Sequence, residues 1–369
     1  MKVTNIKLDR LRLDLDPPFR AAWDPEPRTF FDATIVRVET DEGIVGIGSG
    51  DTMDGFEAFA HLFIGTDPMQ IMRHIRAIET INFHAGRFWP LEAALWDIVG
   101  KVTGVPVATL FGDSTMRVPA YASTGELKSV EDRVESAVAA REQGFRAMKI
   151  RIDRDGLERG IAAVAAVREK LGPDFQVMVD LNQSWRMAGD VAPALDVKSV
   201  VKTVARLEEL GVYWVEEPLP YTDVEGLKEL RKSSSLRIAG GEMLPSFNDV
   251  LSYLDNDVLD IYQMDCVLAI GMHRSRVAAE LAQHRNRQFT PHSWTNGIGV
   301  LANLHVAAGV GAAPYFEFPY DPEGWAVQRR DFMLAEPLWI DAEGYINVPD
   351  QPGLGVELDE DAVEKWRVS

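Results

Sequence analysis

Residues 147–182 read AMKIRIDRDGLERGIAAVAAVREKLGPDFQVMVDLN. The stretch opens on one apolar run, Ala147–Ile152, and closes on another, Gln176–Leu181. Between them Leu157, Ile161, Val164 and Leu171 share one helix face, and Gly172-Pro173 stops the helix. Two short apolar strands separated by a helix make a βαβ unit, whose strands are parallel because a crossover joins them.

The same texture continues on both sides. Val118–Ser123 precedes it, and Val212–Val215, Arg237–Gly240, Leu259–Met264, Arg287–Pro291 and Pro314–Phe316 follow. Ser129 stands where it can cap a helix carrying Val130, Val134, Ala137 and Val138, which Gly144 closes. Eight such runs predict an α/β chain closed into a TIM-type barrel. No eighth helix follows the last run, so the expected form is (β/α)7β. Periodicity alone leaves a doubly wound open sheet as the alternative.

The first 110 or so residues have a different texture, strands followed by helices. Phe31–Glu39 and Gly43–Gly48 are strand-like around the turn Asp41-Glu42-Gly43, and Gly55–Phe63, Pro68–Ile81 and Pro90–Val102 carry helical periodicity. Pro17–Arg28 is a proline-rich segment with aromatic and basic residues, read either as a loop over a binding site or as a plain connector. Gly46, Gly48 and Gly50 do not complete a dinucleotide fingerprint, because Met53 holds its last position.

Composition narrows the function classes. Apolar residues make up 46% and charged residues 26%, an ordinary globular balance. With 57 acids against 38 Lys and Arg the net charge is −19, which argues against nucleic acid and anionic membrane as partners. Cys266 is the only cysteine, so no intrachain disulfide can form, as expected of a cytoplasmic protein. The N-terminal residues lack the apolar core of a signal peptide, and no run is long enough to span a membrane.

The chemistry lies at the ends of the runs. Lys149 and Arg151, Asp180 and Asn182, Glu216 and Glu217, Glu242, Asp265, His292 and Glu317 follow one another at the spacing of βα units. In a parallel barrel all these ends meet at one mouth. Asp180, Glu216 and Glu242, converging from three consecutive strands, would repel one another unless a cation joined them. Oxygen-only ligands favour Mg²⁺ over Zn²⁺. Asp265 beside His292 would fix the imidazole tautomer and steady its protonated form. Lys149 and Arg151 face the same way, since strand side chains repeat every two residues, and two cations beside a metal mark a small-molecule carboxylate substrate. Such a substrate can lose its α-proton, giving an enediolate stabilised where its charge develops. No GxSxG elbow supports a serine hydrolase.

Together, Lys-Ile-Arg, Val-Asp-Leu-Asn-Gln-Ser, Trp-Val-Glu-Glu-Pro, Gly-Gly-Glu, Gln-Met-Asp and Pro-His-Ser-Trp resemble the mandelate racemase branch of the enolase superfamily. Ala94-Leu95-Trp96-Asp97 and Pro352-Gly353-Leu354-Gly355 extend the resemblance over nearly the whole chain. It implies an α+β capping domain from residues 1–117 and 321–369 around a barrel of 118–320. It implies Mg²⁺ on Asp180, Glu216 and Glu242, Asp265–His292 as a catalytic dyad, and Glu317 as hydrogen-bond donor to the bound carboxylate. It also implies that the loops near Pro17–Arg28 and Gly48–Gly55 close over the mouth, and that the chain is a homo-oligomer, often an octamer. Arg20, Trp23, Arg28, Asp51 and Asn182 are the candidate substrate contacts. Arg329 and Arg330 read either as contacts to a distal carboxylate or as surface charge.

One departure matters. The family's second-strand motif is Lys-x-Lys, with the second lysine a base; here Arg151 stands there. A guanidinium stays protonated, which leaves His292 as the one base. One base suffices for a dehydratase acting on an acid sugar, whereas a racemase needs one on each face of the α-carbon. Racemase, epimerase and sugar-lactone cycloisomerase readings stay open, as does a non-catalytic binding barrel.

Overall fold

The computed structural model describes residues 1–311 and 313–368. Its N-terminal part is an antiparallel sheet of β1 (Val3–Phe19), β2 (Arg28–Thr40) and β3 (Val45–Gly48), in that order. Helices α1 (Ile71–His84) and α2 (Trp89–Thr103) cover one face. Val36 and Val38 of the sheet pack there with Ile75, Ile78, Leu91, Leu95 and Ile98. Gly46 and Gly48 let β3 lie directly on α2: a Cβ at either would stand 2.1 Å from a carbonyl oxygen of Pro90 or Ala94. These glycines therefore serve backbone packing.

A short helix α3 (Val107–Leu110) leads into eight parallel strands, β4 (Arg117–Ser123), β5 (Ala147–Arg151), β6 (Gln176–Asp180), β7 (Trp214–Glu216), β8 (Arg237–Gly240), β9 (Ile261–Tyr262), β10 (Gln288–Phe289) and β11 (Phe316–Pro319). Seven helices alternate with them: α4 (Val130–Glu142), α5 (Leu157–Leu171), α6 (Val197–Glu209), α7 (Val224–Ser233), α8 (Phe247–Asp255), α9 (Met272–His284) and α10 (Gly297–Val310). After β11 come the one-turn helix α11 (Val327–Arg330), β12 (Tyr345–Asn347) and α12 (Glu360–Trp366). The barrel is thus (β/α)7β, and the eighth helix is absent among the described residues. Strand order is β10-β9-β8-β7-β6-β5-β4-β11, with β12 antiparallel on β4. No ladder joins β10 to β11 among the described residues. That seam is crossed instead by Ser293, whose N–H and Oγ donate to Glu317 Oε2 and the Glu317 carbonyl at 2.7 and 2.6 Å. No helix of the described residues is long and apolar enough to cross a membrane.

Period-two alternation builds the interior. Tyr121, Ala147, Met178, Trp214, Ala239 and Ile261 form one apolar layer inside the barrel. Two residues further along the same faces stand Ser123, Lys149, Asp180, Glu216 and Gln263. The polar mouth therefore rests on an apolar floor. Outward residues such as Ile150, Val177, Val179, Val215 and Ile238 pack beneath the helices.

Two segments differ from their sequence reading. β1 runs on through Pro17-Pro18 to Phe19, so the loop is Arg20–Pro27 alone. An edge strand tolerates prolines, and the register shifts between Asp14 and Phe19. Gly55–Phe63 makes two 3₁₀ turns, Phe56–Ala58 and Ala60–Leu62, in place of a helix.

Candidate active site

Three consecutive strands deliver Asp180, Glu216 and Glu242, all fully buried, with ligand oxygens lying within 4.8 Å of one another. The backbone turns sharply to do this. Asn182 and Glu217, just beyond the ends of β6 and β7, both take positive φ, 46° and 47°, a conformation that surrounding structure must impose. Burial first, and then mutual repulsion, raises the affinity of Glu216, Glu217 and Glu242 for protons. Trp185 Nε1 donates to Glu242 Oε1 at 2.8 Å, while Glu242 Oε2 receives no hydrogen bond from the protein. A buried carboxylate oxygen without a donor, in an all-oxygen cluster that repels itself, fits a hard divalent cation. The cluster is suited to Mg²⁺.

Asp265 and His292 meet from neighbouring strands. Asp265 Oδ1 accepts from the N–H groups of Val267 and Leu268 at 2.7 and 3.0 Å. This leaves Oδ2 for His292 Nδ1, at 2.9 Å. Nε2 then lies 3.6 Å from Glu242 and 4.0 Å from Glu317, and His292 lines the cavity. Burial works against a charged ring, but Glu242, Glu317 and Asp265 outweigh it and raise the imidazole to about 9.

Lys149 and Arg151 are locked in ion pairs. The Lys149 ammonium contacts Glu216, lies 2.7 Å from Glu317 and 3.4 Å from Asp180, and is completely buried. Burial opposes its charge, but Glu216 and Glu317 raise it above the ordinary lysine value. Arg151 pairs with Asp180, donates to the Thr124 carbonyl at 2.9 Å and lies 4.6 Å from the Trp23 ring centroid. Glu317, the expected donor to a bound carboxylate, meets protein donors here. Its oxygens accept from Ser123 Oγ, Lys149 and the Ser293 N–H, and despite burial the adjacent Lys149 lowers its affinity for protons. In this arrangement it is an acceptor.

Above the cluster lies a cavity of about 540 Å³. Trp23, Arg28, Asp51 and Asn182 line it, as expected. Arg20 does not: alternation along the extended chain buries Phe19 and turns Arg20 to solvent, where its N–H donates to Glu126. Arg329 and Arg330 are neither distal contacts nor both surface charge. Arg330 is fully buried on Asp331, and Arg329 donates to the carbonyls of Asp16, Pro17 and Gly324. Arg87, Trp185, Arg186, Met243, Trp294 and Trp325 also line the cavity and were missed. Trp185 and Arg186 had a signal: they sit in the loop leaving β6, three and four residues after Asn182. Arg87 and Trp325 come from outside the barrel run and had none.

Residues 132–362 match the family model of an enolase C-terminal domain-like fold, and residues 28–112 match that of the mandelate racemase / muconate lactonizing enzyme N-terminal domain. The chain is 28% identical to a D-galactarolactone cycloisomerase of Agrobacterium fabrum over 390 aligned positions, covering 100% of this chain and 99% of that one. It is 27% identical to an L-talarate/galactarate dehydratase of Salmonella typhimurium, covering 92% and 84%. A racemase from Streptomyces coelicolor, solved with bound magnesium, superposes with a TM-score of 0.84 at 27% identity, covering 99% and 100%. Relatives of similar distance thus divide among isomerases and lyases.

Proposed function

The chain belongs to the enolase superfamily, in its mandelate racemase and muconate lactonizing enzyme branch, and from that premise we propose that it dehydrates an acid sugar to a 2-keto-3-deoxy acid. Asp180, Glu216 and Glu242 would hold Mg²⁺, which when bound supplies a Lewis acid to the substrate carboxylate. The chain's own residues do the rest. Asp265 keeps a proton on His292 Nδ1, so Nε2 is the atom that takes the α-proton, the ring being free to do so when a cation on Asp180, Glu216 and Glu242 offsets the carboxylate charge that otherwise holds it protonated. Lys149 and Arg151 sit as fixed cations where negative charge grows on the carboxylate. The β C–O bond breaks, its electron pair leaves with the hydroxyl, and His292 returns the proton to release water. The enol then tautomerises to the 2-keto acid. Residues 1–117 and 321–369, as a cap on the barrel of 118–320, would keep bulk water away during these steps.

The observation that carries this reading is the state of Lys149 and Arg151. Both are buried, and both are committed to carboxylates that hold them as cations. Arg151, a guanidinium paired with Asp180, stands where a second base would be needed, so chemistry through His292 alone is favoured over racemisation. Cycloisomerisation of a sugar lactone is the second reading, because it also expels an oxygen leaving group through one base, and the 28% identity to a lactone cycloisomerase supports it. The test is a screen of sugar acids and their lactones with Mg²⁺, followed by NMR for 2-keto-3-deoxy acids. A 2-keto-3-deoxy product from an open-chain acid is expected. Turnover of lactones only would replace dehydration with cycloisomerisation, and silence across the library would overturn the enzyme reading.

A further inference from the structure

The charge pattern of the cavity bears on the far end of the substrate, and this inference rests on the acid-sugar reading above. Apart from Arg151, which Asp180 claims, the cationic residues lining the cavity among those described are Arg28, Arg87 and Arg186. Each already faces a carboxylate. Arg28 meets both oxygens of Asp24, Arg87 lies 3.5 Å from Asp51, and Arg186 Nε lies 3.6 Å from Asp190. Asp32, also on the cavity wall, is held by both guanidinium nitrogens of Arg12. Asp190 is shared with Arg154, which holds it at 2.7 Å, and Arg186 gives its terminal nitrogens to the carbonyls of Asn182 and Trp185 and to Gln183 Oε1. These guanidinium groups of the cavity wall are therefore all committed to partners, Arg28–Asp24 and Arg87–Asp51 as neutral pairs.

A second carboxylate could be bound there only by drawing a guanidinium from its partner. The most accessible is Arg87. Removing it would leave Asp51 on the cavity wall with a single backbone donor, Thr52 N–H, and with the like charges of Asp265 and Asp54 acting on it. Burial already makes that carboxylate reluctant to ionise. Hydroxyls suit the pair without breaking it, since one can donate to Asp51 while another accepts from Arg87. The rest of the wall is aromatic. Trp23 and Trp294 meet edge to face at 4.9 Å, Trp294 and Trp325 stack at 5.6 Å, and Phe31 meets Trp325 at 4.9 Å. Such a surface accepts the C–H face of a carbohydrate and offers nothing to a second anion.

We infer that the substrate is a monocarboxylate whose far end is uncharged and hydroxylated, and that the Asp51–Arg87 pair selects it. Matched acids of one carbon skeleton test this, D-gluconate against D-glucarate and D-galactonate against D-galactarate, each with Mg²⁺ in D₂O. Product formation and loss of the α-proton signal are followed by NMR. In the better pair the monoacid should lead in kcat/KM by ~100-fold, the discrimination expected when a buried polar pair is left mismatched. Asp51→Asn frees Arg87 and should shift the ratio toward the diacid by ~10-fold, chiefly through KM. Diacids turned over as well as monoacids, or an unchanged ratio in D51N, would overturn the inference while leaving the acid-sugar function intact. Absence of both product and α-proton exchange with all four acids would overturn the inference together with the function beneath it.

Discussion

Two buried networks of charged groups sit in this molecule, and they are finished differently. At the junction of the N-terminal sheet, α2 and the C-terminal segment, Asp97 Oδ1 accepts from Leu354 N–H at 2.8 Å. Its Oδ2 accepts from Ile47 N–H and Lys101 Nζ at 2.8 and 2.6 Å. His305 of α10 accepts from Ala108 N–H at Nδ1 and donates to the Leu354 carbonyl through Nε2. Every hydrogen-bonding atom of these two side chains has a partner, and none of these residues lines the cavity. At the barrel mouth, by contrast, Glu242 Oε2 and both oxygens of Glu217 are buried without a donor. A closed network holds three segments of chain together. An open one is an unstable arrangement of carboxylates that makes sense when a ligand completes it. Of these two networks, the satisfied one serves structure and the unsatisfied one is where a ligand would bind.

Substitutions should separate the two. The largest effect belongs to the open network: His292→Asn is expected to lower kcat by ~10³-fold or more, the scale of a lost general base, without lowering Tm. A Tm drop that accounts for the lost activity would put His292 in the structural class. Next is the closed network. Gly353 has φ +87°, and a Cβ there would stand 2.2 Å from Asp97 Oδ1. Gly353→Ala should therefore cost roughly 3–4 kcal/mol in denaturant unfolding, by strain plus clash. Specific activity of the folded fraction should be retained, and a fully stable variant would break the comparison.

The closed network should also reveal itself through pH. Burial lowers His305 from 6.5 to about 4, so the unfolded chain takes up its proton first. Stability from this group is complete above about pH 6.5 and is lost as pH falls toward about 4, in total about 3 kcal/mol. His305→Gln should flatten that part of the stability profile, and an unchanged slope would remove His305 from the account. In the open network, Mg²⁺ at a hundred times its Kd should stabilise the protein by about 2.7 kcal/mol, read as a rise in Tm. Glu242→Gln should abolish this rise and leave the metal-free protein at least as stable. The smallest effect is expected from Trp185→Phe. Loss of the bond to Glu242 should weaken Mg²⁺ binding ~10-fold, measured by calorimetry, with kcat at saturating metal little changed.

Much of this was legible in the order of residues. Asp180, Glu216, Glu242, Asp265, His292 and Glu317 recur with the βα period, and a parallel barrel leaves such residues only one place to converge. The same period predicted seven helices between eight strands. The rest of the cavity wall was not legible, because Arg87, Trp294 and Trp325 come from segments far apart in sequence and share no spacing. Arg20 and Arg330 misled for a local reason. Which side of an extended chain a residue faces, and whether an arginine finds an adjacent aspartate such as Asp331, are decided by packing and not by composition. Gly353-Leu354 stood out as a motif, but its reason emerges only when Asp97, 257 positions away, is seen beneath it.

The central claim is that one base, His292, acts on one face of the α-carbon. It is tested most directly by incubating wild type and His292→Asn with D-gluconate and D-galactonate in D₂O with Mg²⁺, and following the α-position by NMR. The account predicts a 2-keto-3-deoxy product from wild type, none above background from the variant, and no α-deuterated epimer in recovered substrate. An inverted, α-deuterated substrate, or product formation undiminished in the variant, would contradict it.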